Sequence, residues 1–207
     1  MIRKLLTAIV LLAICSLTTA QNMEQWWINM PDSLLGYMNK SKRIEAMDYQ
    51  NMGLKIDVTN LMKGSTIVDT LTSDFIEVRL NEATIMQMRL LPKDSDTIVC
   101  VIKTMFAPEA ESLVCYYDRS WQRIGVETLD TIIDKFIHRP DTMSVAHYSD
   151  LCKMIEPIMV KSTLSISDNT MVKELSLPML TKEEKASVKA VLKQRKFKWA
   201  DGKFIEC

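Results

Sequence analysis

Glycine is scarce, five in 207 residues, and none stands in the spaced runs that form phosphate-cradling loops. No Gly-x-Ser-x-Gly elbow occurs, so that type of serine hydrolase has no nucleophile here. His138 and His147 are the only histidines. They are not spaced as His-x-x-x-His and lie near no paired thiols, so no zinc set is assembled. Cys-x-x-Cys is missing, and His147 and Cys152 fall about 140° apart around a helix, out of register for a thiolate–imidazole pair. Charge of one sign is also missing: 26 basic residues face 26 acidic ones, which leaves no concentrated positive field for nucleic acid. Asp94 and Asp96 flank a turn but lack the twelve-residue loop and terminal Glu of a calcium site. Methionine is plentiful, fifteen in all, yet only Met86 and Met88 stand at short spacing. That pattern is adaptable core filler, not copper handling. No cofactor is expected.

Residues 1–20 read as a secretory signal peptide: Arg3 and Lys4 give a positive start, Leu5 to Leu17 is mostly apolar, and Thr18-Thr19-Ala20 suits cleavage before Gln21. The apolar run is shorter than the ~20 residues of a spanning helix. Lipidation at Cys15 wants a small residue before it, where Ile14 stands. Soluble export to the periplasm or outer surface of a Gram-negative cell is therefore expected. Residues 21–207 remain, nearly neutral and with no later membrane-spanning run. They suffice for one α+β domain burying roughly 70% of its unfolded surface, with sub-halves at 21–125 and 126–207.

The stretch from Gly64 to Asp118 organises the chain as an antiparallel meander. Ile76, Val78 and Leu80 alternate with Glu77 and Arg79, and Met86, Met88 and Leu90 with Gln87 and Arg89, the period of half-buried strands. Ile98–Ile102 and Leu113–Tyr117 are apolar on both faces, as covered central strands are. Around this sheet the pattern predicts helices at 31–53 with Ser41 as a cap, at 126–137 and 144–155, and at 181–194 behind the Thr181/Glu184 capping box. An early strand is expected at 54–58. Hairpins are expected around Ser167-Asp168-Asn169 and around Asp201-Gly202, a type I′ signature. The fold class is α+β, a mainly antiparallel sheet with helices on one face, in two helix-then-strands halves.

Four cysteines follow the leader: Cys100, Cys115, Cys152 and Cys207. A hairpin with Ala107 and Pro108 at its tip pairs residues whose numbers sum to 215, which sets Cys100 opposite Cys115 as the disulfide to expect if their Cα atoms come within ~7 Å. The other reading makes them small buried hydrophobes. Cys207 is a free-thiol or intermolecular candidate. Trp26 and Trp27 invite sugar stacking, although packing an N-terminal strand on the core suits their area better. Acid pairs such as Glu77 with Glu82, or Glu109 with Glu111, are the only material for hydrolysis of carbohydrate or peptide, and nothing selects them.

The segments Asn29-Met30-Pro31-Asp32-Ser33-Leu34-Leu35, Met88-Arg89-Leu90-Leu91-Pro92 and Ala107-Pro108 after Ile98-Val99-Cys100-Val101 resemble a family of exported proteins of this length. That family belongs to Gram-negative bacteria of the Bacteroides type and is a domain of unknown function. The resemblance implies export and an α+β domain, and supplies no catalytic residue. With no catalytic signature, the expectation is a non-enzymatic binding module of the cell envelope whose partner is an envelope protein or glycan. The alternative is a periplasmic hydrolase acting through carboxylates.

Overall fold

The computed structural model describes residues 22–106, 108–127, 133–155, 157–177 and 180–207; the leader, Cys15, Ala107, Leu129 and Ile132 lie outside them. The described residues form two antiparallel sheets and four α-helices. No helix among the described residues is long and apolar enough to cross a membrane.

The first helix, α1 (Met23–Asn29), starts where the Asn22 side chain accepts the Gln25 N–H at 3.0 Å. Met23, Trp26 and Trp27 recur at helical spacing and are buried, so this segment is a helix and not the expected strand. A 3₁₀ turn (Asp32–Leu34) follows, then α2 (Lys40–Asn51). Asn39 caps α2, not Ser41, because its side chain reaches the Lys42 N–H at 3.0 Å. Gly53, at φ 72°, ends that region as a left-handed residue.

The large sheet is a seven-stranded meander in sequence order. Its strands are β1 (Val58–Thr59), β2 (Ser65–Leu71), β3 (Phe75–Asn81), β4 (Thr84–Lys93), β5 (Asp96–Phe106), β6 (Ala110–Tyr117) and β7 (Arg123–Val126). The early strand is shorter than 54–58, and β7 takes Val126 from the expected helix at 126–137, of which only a 3₁₀ turn at Ile133–Lys135 is described. One face of the sheet, with Ile76, Val78, Leu80, Met86, Met88, Val99 and Val101, packs under α1, the 3₁₀ turn and α2.

The opposite face carries Gln87 and Arg89, which alternation alone would assign to solvent. Both are buried, because a second sheet lies on them. It comprises β8 (Met159–Leu164), β9 (Thr170–Ser176), β10 (Arg195–Ala200) and β11 (Lys203–Glu206), ordered β11-β10-β9-β8. Phe75, Leu91, Ile98, Cys100, Ile102 and Val114 meet Leu164, Met171 and Trp199 between the sheets. Beyond them α3 (Val145–Lys153) and α4 (Lys182–Lys189) close a third cluster built on Val160 and Leu175. The capping box of α4 forms as predicted, and Asp201 and Gly202 both have positive φ in the last hairpin, at 50° and 74°.

An edge strand leaves its outward N–H groups unpaired. Here β8 is such an edge, and side chains of the large sheet complete it: Ser112 Oγ accepts the Ser162 N–H, and Gln87 Oε1 the Leu164 N–H, each at 2.9 Å. The polar alternation of β4 and β6 thus serves an interface.

The β5–β6 register corrects the cysteine expectation. Phe106 pairs with Ala110, so three residues separate the strands where two were assumed, and paired numbers sum to 216: Cys100 faces Tyr116 and Val101 faces Cys115. A one-residue slip moves a side chain to the other face. Cys100 therefore points into the inter-sheet core and Cys115 under the helices, and both thiols are free.

Candidate functional site

The residues singled out for chemistry are dispersed or already engaged. Glu77 accepts a hydrogen bond from Gln87 Nε2 at 2.6 Å, while Glu109 pairs with Lys185 at 2.5 Å. Trp26 and Trp27 are 2% and 0% exposed, so neither offers a ring face to a sugar. Met86 and Met88 are core, and Asp96 pairs with Arg119 at 2.5 Å. No group of three or more His, Cys, Asp or Glu fit to hold a metal occurs among the described residues.

The surface itself supplies a better candidate. The helical layer covers the large sheet from β2 to β5 and the Cys115–Tyr117 end of β6, and among the described residues it leaves Leu113 of β6 and the apolar side chains of β7 exposed. Leu113 stands opposite Lys103, Cys115 opposite both Val101 and Val126, and Met105 opposite Glu111. Ile124 is the unpaired residue where the β6–β7 register shifts, between Gly125 opposite Tyr116 and Arg123 opposite Tyr117. Met105, Leu113, Ile124 and Val126 are 48%, 46%, 43% and 44% exposed. Where this strip meets the helical layer it deepens into a small groove of about 50 Å³ between Met30 and Leu34 on one side and Leu113, Cys115 and Tyr117 on the other.

Trp121 closes one end of the groove. Its φ of 59° is left-handed, which costs a bulky residue about 1–2 kcal/mol. Two features hold it there. The Asp118 carboxylate accepts the N–H groups of Ser120 and Gln122, each at 2.9 Å, and the indole packs on Trp26 and Tyr117 with ring centroids 5.6 Å away in each case. Strain over-determined in this way aims a flat apolar wall at the groove.

Lys103 is the one charged residue in the groove lining. Its ammonium donates to the Leu34 carbonyl at 3.3 Å, and no carboxylate among the described residues is ion-paired with it. Glu111, diagonal to it across the strand pair, makes no such bridge. Burial pushes the Lys103 ammonium below the usual lysine range, with the Cys115 thiol a smaller influence in the other direction. Burial likewise raises the Tyr117 phenol, and the neighbouring Cys115 adds to it. Sequence reasoning missed this site, although its one signal was present: a lone lysine inside an otherwise apolar strand, next to an apolar run that was assumed to be covered.

Residues 15–204 match the family described as "Protein of unknown function (DUF3256)". The chain belongs to that family. No curated protein matches it. Among solved structures it is similar to a domain of an uncharacterized protein from Porphyromonas gingivalis W83, at TM-score 0.74 and 22% identity, covering 91% of this chain and 100% of that one. That likeness concerns the fold.

The segments that carried the resemblance do architectural work in this DUF3256 chain. Arg43, 1% exposed, donates from Nη1 to the Met38 carbonyl at 2.7 Å and from Nη2 to the carbonyls of Met30 and Ile28, and it pairs with Asp32 at 2.9 Å. The Asn29–Leu35 segment is thus wound round a buried cation. Arg89 reaches across to the second sheet, donating to Asn169 Oδ1 and the Ser165 carbonyl, each at 2.8 Å, while also pairing with Asp74. The Pro92 carbonyl accepts the Trp199 indole N–H at 2.6 Å.

Proposed function

We propose that this protein is an exported, non-enzymatic binding module of the Gram-negative cell envelope, acting through the uncovered face of β5, β6 and β7. The single observation that carries the reading is the strip Met105, Leu113, Ile124 and Val126, which the helical layer leaves exposed beside the groove. Apolar side chains clustered on one open face mark an interaction site more often than scattered ones do. The lining offers few polar atoms, which suits an apolar partner better than a glycan. Export rests on the pattern of residues 1–20, and N-terminal sequencing of the protein from the periplasmic fraction should begin at Gln21.

The test is to recover residues 21–207 from cells of the source bacterium and identify by mass spectrometry every protein and small molecule that co-purifies, alongside a Leu113→Asp variant. Leu113 is exposed enough for the variant to fold, which circular dichroism checks. A component retained by the wild type and lost from the folded variant supports the reading. Equal recovery from both overturns it.

A further inference from the structure

The identity of the partner follows from the groove's charge and its shortage of hydrogen-bonding groups. Resting on the binding reading above, we infer that the groove takes an acyl chain ending in a carboxylate, with the head on the Lys103 ammonium and the chain lying over Leu113 between Met30, Leu34 and Tyr117.

The first support is charge. Lys103 stands among Met30, Leu34, Met86, Val101 and Leu113, and among the described residues its ammonium has one hydrogen bond, to a carbonyl at 3.3 Å, and no carboxylate paired to it. Lys103 is partly buried, where desolvation disfavours its charge unless an opposite charge stands near it, and a ligand carboxylate supplies one. The depressed proton affinity of Lys103 agrees with an ammonium short of such a partner. Arg43, fully buried nearby, already holds three carbonyls and Asp32 with its two terminal nitrogens, and its remaining Nε is shut away from solvent without a partner among the described residues, which leaves Lys103 as the head-group site.

The second support separates an acyl chain from a peptide. A buried peptide carries an N–H and a C=O at every residue, and each needs a partner. Apart from Lys103, the side-chain polar groups in the lining are the Tyr117 hydroxyl, the Trp121 indole N–H and the Cys115 thiol. An extended peptide added to the edge strand β7 does not solve the problem. With strands about 4.8 Å apart, it would lie three spacings from β5, roughly 14 Å from the Lys103 backbone. An acyl chain needs nothing along its length and one anion contact at its head. The enclosed part of the groove is about 50 Å³, so it seats the head and the first carbons only, and the rest of the chain lies along exposed Leu113.

The test titrates the protein, residues 21–207, with decanoate and with decan-1-ol at neutral pH, read by calorimetry and by tryptophan emission, to which Trp121 contributes with Trp26, Trp27 and Trp199. Decanoate should bind saturably, and decanol roughly tenfold or more weaker for want of the charge-assisted head contact. Lys103→Met should lower decanoate affinity about tenfold and leave decanol within about twofold, Lys103→Arg should restore decanoate binding, and Leu113→Asp should abolish both. Equal binding of the two ligands, unchanged in Lys103→Met, overturns the carboxylate head. Failure of both ligands to bind, while Leu113→Asp still loses its co-purifying component, overturns the inference and leaves the binding reading standing; if that component is also retained, both fall. A dimer that Leu113→Asp dissociates, with no uptake of decanoate, overturns the inference in favour of a second copy of this chain.

Discussion

Cys100 and Cys115 lie on adjacent strands with their side chains on opposite faces of the large sheet, because Cys100 is paired with Tyr116 and Cys115 with Val101. Bridging them would require Cβ vectors that point apart to meet. Alkylation of the denatured, unreduced protein should label both residues. In the native state both should resist labelling, since they are 0% and 5% exposed and burial pushes the Cys100 thiol well up. A proteolytic fragment linked through Cys100 and Cys115 would contradict this register.

Arg43 and Asp32 form an ion pair whose two ends are worth very different amounts. The guanidinium is buried and holds three carbonyls, whereas the Asp32 carboxylate is 57% exposed. Arg43→Ala should cost about 3–5 kcal/mol in urea unfolding, the range for stripping one partner from a buried charged network. Asp32→Asn should cost less than about 1 kcal/mol, since water screens an exposed carboxylate. Similar losses from the two variants would mean that the ion pair, and not the carbonyl cradle, holds the segment.

The contact of Arg89 with Asn169 ties the two sheets together, 80 positions apart in sequence. Alanine substitutions at each, singly and together, should give a coupling of about 1–3 kcal/mol, because a hydrogen bond from a buried guanidinium exceeds a neutral one. Additive losses would show that the sheets are held by apolar packing alone.

Lys103 should make stability rise with pH on the alkaline side. Its folded proton affinity is depressed, so between that value and the unfolded value of about 10.4 the unfolded chain binds more protons and folding is favoured as pH increases. Below the folded value the burial penalty is fully present. Among the described residues the ionisable groups facing it are Cys115 and Tyr117 in the groove lining and Glu111, diagonal to it across the β5–β6 pair. Tyr117, raised by burial, acts with the opposite sign and only above the ordinary tyrosine range near 10. Urea midpoints from pH 7 to 10 should climb in the wild type relative to Lys103→Met; parallel profiles would show that burial does not disturb this lysine.

Much of the local structure was legible because it depends on neighbours in sequence. The alternation Ile76–Leu80 and Met86–Leu90 set the core face of β3 and β4, and Thr181 with Glu184 set the start of α4. Asp201-Gly202 marked the last hairpin, since few residues tolerate two positive φ values in a row. The helical spacing of Met23, Trp26 and Trp27 is present too, but a segment this short carries little periodic signal, and its apolar content reads equally as a strand.

Other features belong to the assembled molecule. Gln87 and Arg89 have the pattern of solvent-facing residues, and only the arrival of β8 and Asn169, some 80 residues later, makes them buried partners. The Cys100 register turned on one extra residue between paired positions, a difference that periodicity cannot see because a slip of one preserves the alternation while exchanging the faces. The apolar reading of Leu113–Tyr117 was correct as composition, yet whether Leu113 is covered depends on where the helical layer ends. Sequence alone determined the period, the caps and the turns, which are properties of short segments; which face of each strand meets another layer, and which apolar side chains are left facing water beside Lys103, was decided by long-range packing.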